Sequence, residues 1–321
     1  MAKSDSAKIR QFLSQLAAEP WLGPSRADWP RHAYHITDVR NAAKILKCGA
    51  LHSRAALNAA GSSFQDCADQ AVIANSVWSH GYVRLYFRPR TPTQYRMEGI
   101  SPPSARKHGA HVPVPVFLLF DAAQLFCEDG IEFSNGNVAA SGHQRGGDAA
   151  FLESLNFKKI YHDGPIPESG KSEIVFMRCA EILMPGTLTF EHLRDVVCRT
   201  PPERDTLLAL LGRDLEQVWR SRIRVEKAGE NLFERRWYYV RDIRWDGKTI
   251  YIKHSMLPAV RRLKVRFRDG EIRTFSAPAR SVGTQAEYNL VSSDSRIAVE
   301  YTVEDSLAYL GYLSQRQLFA L

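Results

Sequence analysis

Hydrophobic residues recur every three or four positions in several parts of the chain, which is the spacing of one face of an α-helix. The stretches with this pattern are residues 7–18, 38–47, 149–156 and 203–220, and a further helix is predicted over roughly 64–78. In the second stretch, Thr37 or Asp38 is placed to cap the first turn. Gly49 is placed to end the same helix in the left-handed conformation.

Other stretches alternate between apolar and polar residues, or are apolar throughout, and these predict β-strands. The first such strands are residues 31–37, 82–88, 114–120 and 179–184. From 232 to 303 short alternating segments follow, with Asp246-Gly247 and Asp269-Gly270 placed as two-residue hairpin turns. Residues 296–303 add one more strand, and 304–319 are predicted as a closing helix.

This change of pattern predicts two domains of different class. Interleaved strands and helices over 31–200 indicate an α+β domain, whereas 201–321 has the pattern of a helix followed by a mostly β accessory domain. Residues 1–30 are predicted as an N-terminal helix and linker.

Composition narrows the class of protein. Of 321 residues, 44% are hydrophobic and 24% are charged, which is ordinary for a globular protein. Lys and Arg number 43 against 35 Asp and Glu, and the net charge of +8 favours a polyanionic partner. The five cysteines form no Cys-x-x-Cys pair, which argues against a zinc ribbon or a disulfide framework. Because there is no long apolar run and no secretory signal, we predict a cytoplasmic protein without a membrane partner.

Four blocks of sequence, in the same order, resemble the DarT family of bacterial toxins that ADP-ribosylate DNA. The blocks are Tyr34-His35-Ile36-Thr37 with Asn41, Gly81–Tyr95, Phe133–Asn137 and Arg178–Pro185. The second block resembles the family's Tyr-Val-x-Phe-Tyr-Phe-x-Pro-Arg-(Ser/Thr)-Pro-x-x-Tyr segment. The last resembles its Arg-Gln-Ala-Glu-Phe-Leu-Val segment, which holds the catalytic glutamate. Together they cover roughly residues 31–200, and the accessory domain lies outside the resemblance.

The resemblance implies an ADP-ribosyltransferase fold, in which two small sheets enclose a cleft for NAD⁺. It makes Glu181 the catalytic acid/base residue. The residues expected to bind NAD⁺ are His35, Thr37, Asn41, Ser53 and Tyr95. A carboxylate can stabilise the positive charge left on the ribosyl carbon when nicotinamide departs, and it can accept a proton from the attacking nucleobase, so no metal is required.

Two alternatives remain for the glutamate. Glu181 follows Ala180 in an apolar strand, where an ion pair with Arg178 or another arginine would give it a structural role. Glu173 is a second candidate for the catalytic carboxylate, because it also precedes apolar residues.

One departure from the family concerns its catalytic arginine, which stands on the helix before the Tyr-Val-x-Phe-Tyr-Phe strand. The corresponding segment here, 69–78, has no arginine. Arg84 and Arg88 on the next strand, or Arg54, are predicted to take its place. A basic strand that faces DNA is the alternative for Arg84 and Arg88.

The acceptor is predicted to be single-stranded nucleic acid, because arginines alternate with aromatic residues after position 81. Arg90 and Arg96 are the expected contacts. We therefore predict an NAD⁺-dependent ADP-ribosyltransferase that modifies a nucleobase of single-stranded DNA, a toxin or anti-phage effector with an antitoxin partner. The alternatives are modification of RNA, an inactive nucleic-acid-binding protein with a degenerate transferase domain, and an NAD⁺ glycohydrolase.

Overall fold

The computed structural model of the protein describes residues 2–61, 77–106, 109–256 and 260–315. Its largest feature is an eight-stranded sheet with the strand order β10-β9-β4-β1-β3-β7-β5-β6. These strands are β1 (His32–Asp38), β3 (Tyr82–Tyr86), β4 (Pro115–Asp121), β5 (Glu132–Ser134), β6 (Arg145–Gly146), β7 (Glu181–Pro185), β9 (Leu193–Cys198) and β10 (Ile223–Val225). A separate two-stranded sheet joins β2 (Ala50–His52) to β8 (Thr187–Thr189).

The large sheet is divided in its middle. β1 pairs with β4 along its whole length, from His32 to Asp38. On its other side β1 is registered with β3 at a single pair, Tyr34 with Tyr86. Beyond that pair the two strands diverge, so β10-β9-β4-β1 and β3-β7-β5-β6 form two half-sheets with a gap between them. The two small sheets expected from the sequence are therefore halves of one sheet.

Helices cover the faces of this sheet. They are α1 (Ser6–Ala17), α2 (Val39–Cys48), α3 (Arg54–Ala59), α4 (Pro92–Met97), α5 (Ala122–Leu125), α6 (Ala149–Ser154), α7 (Phe157–Ile160), α8 (Lys171–Met177), α9 (Pro201–Leu211) and α10 (Arg213–Trp219). The start of α2 follows the sequence prediction, because the Asp38 carboxylate accepts a hydrogen bond from the N–H of Arg40 and Gly49 ends the helix with a φ of 80°. The single helix predicted over 203–220 is wrong, since Gly212 interrupts it with a φ of 82°. Most of the helix predicted over 64–78 lies outside the described residues.

The C-terminal part forms two four-stranded sheets, β11-β12-β16-β15 and β14-β13-β17-β18. Their strands are β11 (Val240–Trp245), β12 (Thr249–His254), β13 (Arg261–Arg266), β14 (Ile272–Phe275), β15 (Arg280–Val282), β16 (Gln285–Asn289), β17 (Arg296–Val303) and β18 (Ser306–Ser314). Both Asp-Gly pairs connect antiparallel neighbours, as the sequence predicted. The sheets share a hydrophobic core that is distinct from the core of the large sheet.

Two predictions about this part differ from the structure. The closing helix over 304–319 is wrong: Ser306–Ser314 is a strand, because Glu304 adopts a φ of 54° and turns the chain back to pair with β17. The predicted boundary at residue 200 also falls inside the first unit, since β10 pairs in parallel with β9 in the large sheet. Apart from Ile100, the residues of the second core begin with Val240. Within the described residues, no helix is long and apolar enough to cross a lipid bilayer.

Candidate active site

Glu181, the predicted catalytic residue, opens β7 and is completely buried. Both of its carboxylate oxygens accept hydrogen bonds from Arg84, at 2.5 Å from Nε and 2.8 Å from Nη2. This is the bidentate fork that gives guanidinium–carboxylate pairs their strength and their fixed geometry. The Arg84 side chain is 29% exposed, so the pair reaches solvent through its cation. The structure thus brings together two of the predicted catalytic residues.

Strand register explains the contact. Tyr86 is the registered partner of both Tyr34 on β1 and Glu181 on β7. Registered residues of antiparallel strands project from the same face, and so do residues two positions apart. Arg84 and Glu181 are therefore diagonal neighbours across β3 and β7, on the face that also carries Tyr34 and Tyr86.

The turn predicted over Phe133–Asn137 holds the glutamate from the other side. The backbone N–H of Val138 donates to Oε1 of Glu181 at 3.3 Å, and the Glu181 N–H donates to Oγ of Ser134 at 2.8 Å. Gly136 allows the turn to pass the ring of Phe176, where a Cβ would overlap the ring. The contributions of Ser134 and Val138 were missed from the sequence, because they depend on how the turn folds back onto β7.

The electrostatics of the site favour the charged form of Arg84. Burial opposes the charge on Arg84, but the adjacent carboxylate of Glu181 outweighs burial and raises the pKa of the guanidinium. Burial, and then the charge of Glu181, raise the pKa of the Tyr86 hydroxyl. The site therefore presents a charged guanidinium beside a neutral phenol.

His35 lies at the gap between the half-sheets. Its Nδ1 is 3.2 Å from the backbone carbonyl oxygen of Arg84 on the far side of the gap. A carbonyl oxygen can only accept, so Nδ1 carries the proton and donates it. Burial lowers the pKa of the imidazole, which keeps the ring neutral. Nε2 is then left as a hydrogen-bond acceptor, which suits a ligand hydroxyl.

Thr37 and Asn41, two more of the residues predicted for NAD⁺, lie on β1 and on the helix that follows it, whereas Ser53 lies beside the end of β7, where its N–H donates to the carbonyl of Gly186 at 2.7 Å. Thr37 shares a strand face with His35, and Asn41 lies in the first turn of α2; both are largely buried. Ser53 caps α3, because its hydroxyl oxygen accepts from the N–H of Ala56 at 3.2 Å. Arg54 follows it as the first residue of that helix.

Arg88 lies outside the Glu181 site, which corrects its prediction as a catalytic residue. β3 ends at Tyr86, and the Arg88 side chain is fully buried with its guanidinium carbon 4.4 Å from the centre of the Trp29 ring. It donates to the backbone carbonyls of Pro89, Ile160 and His162. These contacts give Arg88 a structural position.

The alternative carboxylate, Glu173, belongs to the surface. Its side chain is half exposed on α8 and forms an ion pair with Lys159 at 2.6 Å. The sequence also left open an ion pair of Glu181 with Arg178 or another arginine. The pair with Arg178 does not form, because Nη2 of Arg178 donates to the backbone carbonyl of Arg90, but the pair with Arg84 does. Among the two candidates, the structure favours Glu181.

The residues predicted to contact nucleic acid lie on and before α4. Arg96 and Tyr95 are both exposed there, and the Arg236 guanidinium stacks on the Tyr95 ring at 4.4 Å. Arg90 precedes the helix, 3.6 Å from Asp163 and 3.7 Å from Glu234. Tyr95 is thus part of an exposed arginine–aromatic stack, a setting that favours a nucleobase over the predicted contact with nicotinamide.

Comparison with known proteins identifies the family of the chain. A family model described as "ssDNA thymidine ADP-ribosyltransferase, DarT" matches residues 34–239. No curated protein matches the chain. Among solved structures, DarT from Thermus sp. 2.9 in complex with ADP-ribosylated ssDNA is similar, with 17% identity, a TM-score of 0.49, and 64% of this chain and 96% of that chain covered.

Two further structures are similar at the same level. DarT from Thermus sp. 2.9 in complex with NAD⁺ shows 18% identity and a TM-score of 0.48 over 64% of this chain and 98% of that chain. DarTG from Thermosipho africanus in complex with ADP-ribose shows 17% identity and a TM-score of 0.48 over 67% of this chain and 53% of that chain. The family match, which spans about two thirds of the sequence, confirms the predicted resemblance, fold class and enzyme class. The chain belongs to the DarT family of ADP-ribosyltransferases, which modify thymidine in single-stranded DNA.

Proposed function

We propose that this protein transfers ADP-ribose from NAD⁺ to a thymine base of single-stranded DNA, with Glu181 as the catalytic carboxylate. The observation that carries the assignment is the Arg84–Glu181 pair, an ionised carboxylate held beside the gap between the two half-sheets. A carboxylate in this position meets the electrostatic requirement of glycosidic bond cleavage, where positive charge develops on the sugar carbon.

NAD⁺ supplies the ADP-ribosyl group, and nicotinamide leaves as a neutral molecule with the electrons of the broken carbon–nitrogen bond. In thymidine N1 already carries the deoxyribose, so N3 is the ring nitrogen that bears a proton. Glu181 accepts that proton as N3 bonds to the ribosyl carbon. The same carboxylate stabilises the charge on that carbon beforehand, so a single glutamate serves both steps.

The β1 side of the gap suits the NAD⁺ donor. His35 offers Nε2 as an acceptor for a ribose hydroxyl, because Nδ1 is occupied by the carbonyl of Arg84. Thr37 and Asn41 lie on the same side as candidate walls of the pocket, and Ser53, beside the end of β7, is a further candidate.

Arg84 takes the part of the arginine that the preceding segment, 69–78, lacks in its sequence. Its bidentate contact fixes the rotamer of Glu181, and its exposed edge is free to face the phosphates of NAD⁺ or the charge of the transition state. For the acceptor strand, we assign Arg96 and Arg90 as contacts, with Tyr95 and Arg236 as a stacking surface.

A toxin role follows from the family, with an antitoxin protein as the partner that restrains the activity. RNA as the acceptor is the rival within the same chemistry. A degenerate domain that binds nucleic acid without turnover is the rival from another class, and it is opposed by the intact Arg84–Glu181 pair.

The experiment uses ³²P-labelled NAD⁺ with three oligonucleotides of equal length: thymidine-containing DNA, the same DNA with every thymidine replaced by deoxycytidine, and RNA. Label is expected on the first alone, and it is lost with Glu181→Gln. Label on RNA or on the thymidine-free strand would overturn the assigned acceptor. Intact NAD⁺ in all three reactions would overturn the enzymatic assignment, and NAD⁺ consumed without labelled polymer would indicate a glycohydrolase.

A further inference from the structure

Three arginines meet just beyond the C-terminal end of β3. Arg88, Arg90 and Arg178 surround a pair of carboxylates, Asp163 and Glu234. We call these five residues the arginine cluster. The ion pairs inside it are long, at 3.8 Å from Arg88 to Asp163, 3.6 Å from Arg90 to Asp163 and 3.7 Å from Arg90 to Glu234. None of these three contacts is short enough to be a hydrogen bond.

The cluster contains donors that the fold leaves unused. Nη2 of Arg88, Nε of Arg90 and Nε of Arg178 are buried, and they have no hydrogen-bond acceptor within the described part of the chain. The Arg88 side chain is completely buried, and its Nη2 is the atom nearest Asp163. Buried N–H groups without acceptors are costly and rare in folded proteins, and several at one place indicate that an acceptor belongs there.

The charge of the cluster indicates which acceptor. Three guanidinium groups face two carboxylates, so one positive charge is left over. Burial, and then the charge of Arg178, lower the pKa of Arg88 to about 9, which reflects this surplus. Burial, and then the nearby arginines, also lower the pKa of His162, so the histidine adds no charge at neutral pH. A group with one negative charge and several acceptor oxygens would neutralise the cluster and occupy its donors.

The position of the cluster indicates the source of that anion. The gap assigned to NAD⁺ lies toward the N-terminal end of β3, where His35 reaches the carbonyl of Arg84. Arg88 and Arg90 lie past the other end of β3, and Tyr86 and Glu181 stand between. At about 3.3 Å per extended residue, Arg90 is at most ~13 Å along the chain from Tyr86. The cluster thus lies on the far side of Glu181 from the proposed NAD⁺ gap, at a distance suited to a phosphate next to the reacting nucleotide.

We propose that the arginine cluster binds a phosphodiester group of the acceptor DNA strand, and that Asp163 holds the place of that phosphate when DNA is absent. This inference rests on the proposed function, because it takes the acceptor to be single-stranded DNA. Asp163 is suited to the role: it lies against two arginines without hydrogen-bonding to either, and a Gly/Pro-rich stretch of exposed residues follows it.

The test measures the affinity of the full chain for a fluorescent thymidine-containing oligonucleotide by anisotropy, without NAD⁺, over a range of salt concentrations. Arg178→Gln is expected to weaken binding about tenfold, the effect of one charge-assisted hydrogen bond. It should also reduce the slope of log Kd against log salt by about 0.7, because one phosphate contact is lost. Arg213→Gln, which removes one exposed charge from α10, is the matched control and should change neither quantity.

Asp163→Asn provides a second variant with the opposite expected effect. It removes the competing carboxylate without removing a donor, so DNA binding should become severalfold tighter. Equal affinities and slopes for Arg178→Gln and Arg213→Gln, or weaker binding by Asp163→Asn, would overturn the proposal. Thermal melting establishes that each variant is folded.

Steady-state kinetics separate the two sources of phosphate. A higher KM for DNA with an unchanged KM for NAD⁺ is expected for Arg178→Gln. The reverse result would assign the cluster to the diphosphate of NAD⁺ and would overturn its assignment to DNA. The binding measurement needs no turnover, so the cluster can be tested even if the proposed reaction fails.

Discussion

Two buried glutamate–arginine arrangements in this protein look alike in chemistry and differ in what surrounds them. Glu181 is bound by Arg84 across the neighbouring strands β7 and β3 of the large sheet. Glu203 is bound in the same way by Arg199, whose Nη1 also reaches Glu98 at 3.2 Å. In both, a carboxylate is removed from water and held by a guanidinium.

The two arrangements differ in how far solvent reaches their charged groups. Glu98 accepts from Arg199, from the side chain of Gln94, and from the backbone N–H groups of Glu234 and Arg235. Arg199, Glu203 and Glu98 are all at most 1% exposed, so the network is closed on every side. It ties α4, α9 and the segment near residue 235 together. The Arg84–Glu181 pair, in contrast, keeps its arginine partly exposed.

Burial of a carboxylate is therefore a poor marker of catalysis when taken alone. A network whose members are all at most 1% exposed offers no group to a ligand, so its role is to hold the fold together. A pair with one open side beside a cleft can act on a ligand. The Glu98 network was missed from the sequence, because Glu98 stands 101 residues before Arg199 and none of the three residues carries a local signal of burial.

The largest expected effect comes from the same substitution at the two glutamates. Glu181→Gln is expected to lower turnover about 10²- to 10⁴-fold, because the base and the charge that stabilises the transition state are lost. Glu203→Gln is the matched control: turnover per folded molecule should be retained, while the free energy of unfolding should fall by about 1.5–3 kcal/mol. Label transfer to DNA and chemical denaturation measure the two quantities.

The comparison would be contradicted if each variant showed the effect expected of the other. If Glu203→Gln abolished transfer at unchanged stability, the network would be part of the active site. If Glu181→Gln unfolded the protein and left residual turnover intact, Glu181 would be structural.

A smaller effect is expected from His254, a buried group that no carboxylate stabilises. Its Nδ1 is 3.0 Å from the carbonyl of Thr284 and its Nε2 is 2.9 Å from the hydroxyl of Tyr301. Burial lowers its pKa to about 4. Between pH 6.5 and 4 the unfolded chain binds the proton and the folded chain does not, so stability is complete above pH 6.5 and falls as the pH drops toward 4. The loss is up to about 3 kcal/mol.

Denaturant unfolding of the wild type and of His254→Gln at pH 7 and pH 4.5 checks this prediction. All other titrating groups are common to the two proteins, so the difference between their losses of unfolding free energy reports the protonation of His254. His254→Gln should lose less stability on acidification than the wild type. Identical losses would show that His254 keeps its ordinary pKa in the fold.

The smallest expected effect concerns the histidine at the gap. His35→Ala removes one neutral hydrogen bond to a ribose hydroxyl of NAD⁺. KM for NAD⁺ should therefore rise about tenfold, while KM for DNA stays unchanged. His32→Ala is the control, since His32 is on the same strand and projects from the opposite face. A response of both variants, or of neither, would remove His35 from the NAD⁺ site.

The sequence by itself determined several local elements and the membership of the family. The Asp38 cap and the Gly49 end of α2 depend on contacts within a few residues, and so do the two Asp-Gly hairpins, which is why pattern alone predicted them. Glu181 and His35 are predicted as site residues through motifs, because they stand in short, continuous stretches that resemble the family.

What tertiary structure decided is which of these residues meet. Arg84 and Arg88 both belong to the strand predicted over 82–88. Because alternate residues of a strand share a face, the sequence places both arginines on the same face. β3 ends at Tyr86, so Arg84 remains in the ladder opposite Glu181 while Arg88 turns into the interior against Trp29. The gap between β1 and β3, the N–H of Val138 on Glu181 and the pairing of β18 with β17 likewise depend on contacts between distant segments. Sequence patterns record local preferences, and strand ends and registers are settled by packing across the whole sheet.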